Sequence, residues 1–168
     1  MTDLKITDIK PYMNNARLHD TKQIALLAEN IKRFGFYPSI EIDENNVIIS
    51  GHGRLEAARL LGLTKVKISE KAEKGEKYIP VTIRTDLSPE EVKARRIADN
   101  RVAEKSEWDL QKIEIEMQDM QPELRQLTGF AIEDIRPDFE PEEEEEPKKN
   151  IQKIQSVICP NCSHEFDI

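Results

Sequence analysis

In Ser50-Gly51-His52-Gly53-Arg54, two glycines flank an imidazole and a guanidinium follows. Glycines let a phosphate approach the backbone, and arginine offers a fork of donors matched to phosphate oxygens. With a strand leading in and a helix leading out, the first N–H groups of that helix point outward and its dipole favours negative charge. The chemistry on offer is anion binding. A single short G-x-G leaves a second reading open, a tight strand-to-helix turn in which Arg54 makes an ordinary salt bridge. No orienting carboxylate for His52 is evident in the sequence, which makes it a poor lone general base.

The elements that must position this turn follow from hydrophobic period and punctuation. Val47, Ile48 and Ile49 form a β-branched run suited to a buried strand. Arg54 opens a helical pattern with Leu55, Ala58 and Leu61, and Gly62 stands where a helix end takes a left-handed residue. Upstream, residues 4–9 read as a short edge strand, followed by a polar loop over 11–17. Asp20 and Gln23 make a capping box for a helix bearing Ile24, Leu27, Ala28, Ile31 and Phe34, which Gly35 ends. Ile40 and Ile42 alternate in a strand, and Asn45-Asn46 folds it into a hairpin with 47–49.

Downstream, Val66 and Ile68 mark a strand, 70–77 a charged loop, and Ile79, Val81 and Ile83 a further strand. Ser88-Pro89-Glu90-Glu91 is a capped helix start with proline at its first position, leading through Val92 and Ile97 towards Asp99-Asn100-Arg101. The stripe Leu110, Ile113, Met117 and Met120 reads as packing onto the domain. A short helix from Pro122 to Gly129, then Ile132 and Ile135, close the compact region.

The chain has 168 residues, which suits one domain over 1–136, an acidic linker over 137–150 and a small tail over 151–168. Hydrophobic residues make up 38% and charged ones 35%, a strongly solvated balance with no run long enough to span a membrane. The start lacks a secretory pattern and only two cysteines are present, so a reducing, cytoplasmic setting is expected. Residues 137–168 hold nine acidic and three basic side chains, a net of −6, leaving the first 136 at −2. That is no electrostatic footprint for gripping duplex DNA by its phosphates. Lys93, Arg95, Arg96 and Arg101 could form a local patch, but a mixed-charge helix face is the plainer reading.

The order helix, hairpin, G-H-G-R helix and strand, then a helix bearing D-N-R, resembles the ParB N-terminal domain family, the ParB/sulfiredoxin-like fold. The resemblance covers about residues 4–120 and rests on Ile48 to Ala58 together with Ile97-Ala98-Asp99-Asn100-Arg101-Val102-Ala103-Glu104. It is closest to the short phage and mobile-element type that occurs with DNA methyltransferases. The fold implied is α+β, a small mixed sheet with flanking helices. The resemblance places Gly51, His52, Gly53 and Arg54 at the phosphates of a nucleotide, CTP or ATP, with Arg17, Asn100 and Arg101 near them. It sets Asp99 and Asn100 at a magnesium ion, which hard oxygen ligands suit, and Gly35, Phe36, Tyr37 and Pro38 along the base. Where sulfiredoxins carry a cysteine this chain has His52, so reductase chemistry at the turn is not expected. Only short helices near 109–128 follow, so centromere binding and partition by this chain alone are not expected either.

In the tail, Cys159-Pro160-Asn161-Cys162 with His164 resembles one knuckle of a zinc ribbon, half of a four-ligand site. Three readings stay open: two chains pool their knuckles in a homodimer, a partner completes the site, or the tail is a remnant. The function expected is a ParB-like nucleotide-binding module in DNA metabolism, with slow magnesium-dependent hydrolysis open. An adaptor for a DNA methyltransferase or packaging enzyme comes next. A nuclease, for which only Asp99, Glu104 and remotely Glu56 can be nominated, comes last.

Overall fold

The computed structural model describes residues 4–136, 156–158, 161 and 165–167. The chain divides into two compact units, Met1–Pro137 and Asp138–Ile168. In the first, Asp20 accepts the Gln23 N–H at 2.6 Å and so caps α1 (Thr21–Phe34), which ends on Gly35 at φ 96°. β1 (Ile40–Ile42) and β2 (Ile48–Ser50) form the antiparallel hairpin, with Ile42 opposite Ile48. α2 (His52–Leu60) crosses to β3 (Val66–Ile68), and β4 (Ile79–Ile83) then enters between β1 and β3, parallel to both. The sheet order is β2-β1-β4-β3.

Pro80 sits inside β4 without breaking the sheet. Ile79 donates to Lys65 and Val81 accepts from Ser69, so β3 is bonded through the residues on either side of the proline. Pairing with β1 begins only at Val81, and the missing proline N–H falls before that ladder starts. Ile24, Ala28 and Ile31 of α1, Leu55, Ala57 and Ala58 of α2, and Ile40, Ile42, Ile48, Ile79 and Val81 of the sheet share one core with Phe36 and Ala72.

Residues 4–9 do not form the expected edge strand. Ile6–Asp8 turn as a 3-10 helix, and the backbone meets the sheet only at single bridges, Lys5 with Lys65 and Lys10 with Val47. The Asp8 carboxylate accepts the Lys5 N–H at 2.9 Å, a local bond that replaces ladder pairing.

α3 (Pro89–Arg101) starts at the expected capping box: the Ser88 hydroxyl accepts the Glu91 N–H at 3.3 Å and the Glu91 carboxylate accepts the Ser88 N–H at 2.7 Å. Val92 is its only buried residue, so this helix docks on β1 and β2 through arginines more than through apolar area. The cap therefore matters. Ser88→Ala should cost about 1 kcal/mol, read as a lower urea midpoint at unchanged slope; no shift would mean that the dock alone holds α3.

α4 (Leu110–Gln118) is capped by Asp109, and α5 (Pro122–Gln126) and α6 (Ile132–Ile135) complete the helical extension. It is tied to α1 by the Asn30 amide, which donates to the Leu127 carbonyl at 3.0 Å, and closed by Trp108 edge-on to Phe130 at 5.5 Å. In the second unit, β5 (Ser156–Ile158) and β6 (Glu165–Asp167) pair antiparallel, with Val157 opposite Phe166. The expected zinc ligands Cys159, Cys162 and His164, like the acidic run over 137–150, lie outside the described residues. Among the described residues no helix is long and apolar enough to cross a membrane.

Candidate functional site: an arginine-lined anion turn

β2 ends at Ser50, and Gly51 turns the chain at φ 103°, ψ 29° into α2, which begins at His52, two residues before the expected start. Gly51 is required twice. Its φ is one that side-chain-bearing residues rarely adopt, and a Cβ there would stand 2.9 Å from Arg54 Nε. No side chain caps the helix, so the N–H groups of its first turn are left to the space in front of it. Gly53 admits a neighbour: a Cβ would lie 3.1 Å from the His19 ring.

Arg54 folds back over Gly51. Its Nη2 donates to the Ser50 hydroxyl at 2.9 Å, and that hydroxyl donates to Asp99 Oδ2 at 2.7 Å. The other Asp99 oxygen faces Arg95 Nη1 at 3.3 Å. Arg54 Nε is buried and has no hydrogen-bond partner among the described residues. Burial pulls the Arg54 guanidinium below its usual pKa, with Asp99 and Glu41 opposing. It stays charged, as arginine does in proteins. The salt-bridge reading of Arg54 therefore holds only at second hand: it reaches Asp99 through a hydroxyl rather than by a direct ion pair.

α3 supplies the wall facing the turn. Arg95 grips Glu41 at 3.1 and 3.3 Å. Arg96 Nε donates to the Ile48 carbonyl at 3.0 Å, and its guanidinium lies 3.9 Å from the centre of the Tyr12 ring. The helix runs through Asp99 and Asn100 instead of ending on them. From the other side comes the 11–17 loop. Tyr12 N–H donates to His52 Nε2 at 3.1 Å, and the Asn15 amide donates to the Arg17 carbonyl at 2.9 Å. Arg17 reaches Glu104 at 2.9 Å, a carboxylate that Arg101 also holds at 3.1 Å.

Between these parts lies a cavity of about 240 Å³, lined by Gly51, His52, Gly53 and Arg54 together with Asn15, Arg17, Arg96, Asp99 and Asn100. A second cavity of about 430 Å³ adjoins it across Asn15, Arg17, Arg96 and Asn100, and includes Arg101. The residues expected at phosphates are thus gathered around two joined hollows. The expected base-lining segment is elsewhere. Gly35 and Phe36 abut Ala72, Phe36 is buried, Tyr37 is exposed, and none of residues 35–38 lines either cavity.

Sequence reasoning missed Ser50 and took Arg95 and Arg96 for a solvated face. The signal was the spacing: Arg95 with Asp99 and Arg96 with Asn100 are each four apart on one helix. As a magnesium site the expected pair does not fit a preformed cage. Both Asp99 oxygens are engaged, Arg95 and Arg54 are close by, and no three His, Cys, Asp or Glu side chains converge among the described residues. The electrostatics favour an anion.

No family model matches the chain. Among curated proteins it is similar to the ParB-like nuclease domain-containing protein YnaK of Escherichia coli strain K12, with 44% identity over 63 residues, 38% of this chain and 72% of that protein. Among solved structures it resembles the C-terminally truncated chromosome-partitioning protein ParB of Caulobacter crescentus, crystallised with CTP-γ-S. That likeness has a TM-score of 0.54 at 16% identity and covers 79% of this chain and 73% of that one, and it bears on the fold alone. The fold agrees with that of the solved structure, and by its similarity to the Escherichia coli relative the chain belongs to the ParB-like domain family.

Proposed function

We propose that this ParB-like module binds a nucleoside triphosphate, CTP or ATP, with its phosphates against the Gly51–Arg54 turn, and that it serves phage or mobile-element DNA metabolism. One observation carries the reading: the buried Arg54 Nε, without a partner among the described residues, beside a helix N-terminus that no described side chain caps. A buried charged donor left unpaired is costly, and proteins leave few of them. A phosphate oxygen in the smaller cavity would meet both Arg54 and the first N–H groups of α2, with Arg17 and Arg96 at its sides.

The ligand of the Caulobacter ParB structure makes CTP the first nucleotide to try. Magnesium enters as the counter-ion that a triphosphate brings, since this ion keeps waters and phosphates as most of its ligands. Asp99 and Glu104 are each tied to arginine, and Glu56 is exposed and lines neither cavity. That favours binding, with slow hydrolysis at most, over the convergent acids a nuclease would use.

The test is isothermal titration of the full chain with CTP, ATP, GTP and UTP, each with and without magnesium. Saturable binding of at least one triphosphate, stronger than that of its nucleoside, is expected. Silence toward all four would overturn the reading and leave the adaptor alternative, a module that couples a DNA-modifying or packaging enzyme to its substrate.

A further inference from the structure

The 11–17 loop carries Arg17 and Asn15 to the anion cavity, yet it has no regular structure of its own. Two contacts of Tyr12 fix its start. The Tyr12 ring lies against Arg96, and its backbone N–H donates to His52 Nε2 at 3.1 Å. The second bond dictates the chemistry of the imidazole. An Nε2 that accepts must keep its lone pair, so the ring is neutral and carries its proton on Nδ1.

We propose that His52 is a positioning residue: as the neutral Nδ1–H imidazole it clasps the Tyr12 N–H and thereby holds Arg17 and Asn15 over the turn. The functional consequence rests on the anion-site reading above; the clasp itself does not. An imidazolium would turn a donor toward the Tyr12 N–H and release the loop.

The surroundings oppose that protonation. His52 meets His19 from the segment before α1 and Arg96 from α3, and Arg54 lies on its own helix with Asp99 and Arg17 across the cavity. Burial, then His19, then Arg96 hold the ring below its ordinary value of 6.5, and a helix N-terminus disfavours a cation as well. A depressed value means that the unfolded chain binds this proton more readily than the folded one. The clasp is therefore whole above pH 6.5 and is lost as pH falls through the depressed value.

Nuclear magnetic resonance of the full chain tests this through the His52 ring nitrogens and the exchange of the Tyr12 amide. The expected ring is the Nδ1–H tautomer at pH 7.5, with Tyr12 exchange at least about fivefold faster in His52→Ala and His52→Asn, the worth of one hydrogen bond. His52→Gln puts a carbonyl oxygen near the place of Nε2, so it should restore protection and remove its loss on acidification. Triphosphate affinity at pH 8 should drop in the alanine and asparagine variants and recover in the glutamine one. An Nε2–H tautomer, or equal Tyr12 protection in His52→Ala, overturns the clasp. A protected amide with equal triphosphate affinity in all four proteins overturns the positioning role. Should the wild type bind no triphosphate, the anion-site reading falls, and amide exchange still decides the clasp.

Discussion

Replacing Arg54 by alanine should weaken triphosphate binding by about 1.5–3 kcal/mol, roughly ten- to 150-fold, while the protein stays folded. The magnitude is that of a charge-assisted hydrogen bond, and the geometry says why it should not be diluted. Among the described residues Arg54 Nε has no other partner to return to. The fold loses little, because Ser50 keeps its bond to Asp99 and Asp99 keeps Arg95 when the guanidinium is gone. Removing a desolvated cation even relieves a cost. Arg54→Lys should not rescue binding, since an ammonium is a point charge and cannot occupy the place of Nε beneath Gly51 while reaching forward. Titration of the two variants, with thermal melts alongside, reads the result. Unchanged affinity in a folded Arg54→Ala protein would make this arginine a structural strut and nothing more.

What could be seen beforehand divides along physical lines. The capped helices were legible because their signals are local: Asp20 bonds to Gln23 and Ser88 to Glu91 within one turn. The hairpin and the anion turn were legible for the same reason, since Ile40 to Arg54 is one continuous stretch with turn residues at fixed offsets. Residues 4–9 misled, because their hydrophobic alternation competes with an Asp8 side chain able to bond back to Lys5, and the side chain won. The charge network around Asp99 was not legible. Glu41 and Arg95 are 54 residues apart, Ser50 and Asp99 are 49 apart, and only the packing of α3 across β1 and β2 brings them together. A helix whose only buried residue is Val92 gives no hydrophobic stripe from which such docking could be inferred.

Phe36 tests the boundary between core and site most sharply, and Phe36→Ala should cost about 3–5 kcal/mol of stability. Family resemblance put this residue along the base of a nucleotide. In the fold its side chain is 2% exposed and belongs to the core with Ile31, Ile40 and Ala72. Its backbone exchanges two hydrogen bonds with Ala72, at 2.7 and 2.9 Å, which pin the 70–77 loop to the end of α1. Gly35 beside it leaves no slack, since a Cβ there would stand 2.6 Å from the Ala72 carbonyl oxygen. Deleting the ring removes buried apolar area and leaves a cavity that this tight junction cannot close. Domains of this size are stable by about 5–15 kcal/mol, so the loss would consume a large share, and any loss of nucleotide binding should follow the unfolded fraction. Tyr37 is the control. It is 73% exposed, and Tyr37→Ala should leave the urea midpoint nearly unchanged. Urea denaturation of both variants, with triphosphate titration under conditions where each is folded, separates the roles. A Phe36→Ala protein that keeps its stability but loses its ligand would return this ring to the base.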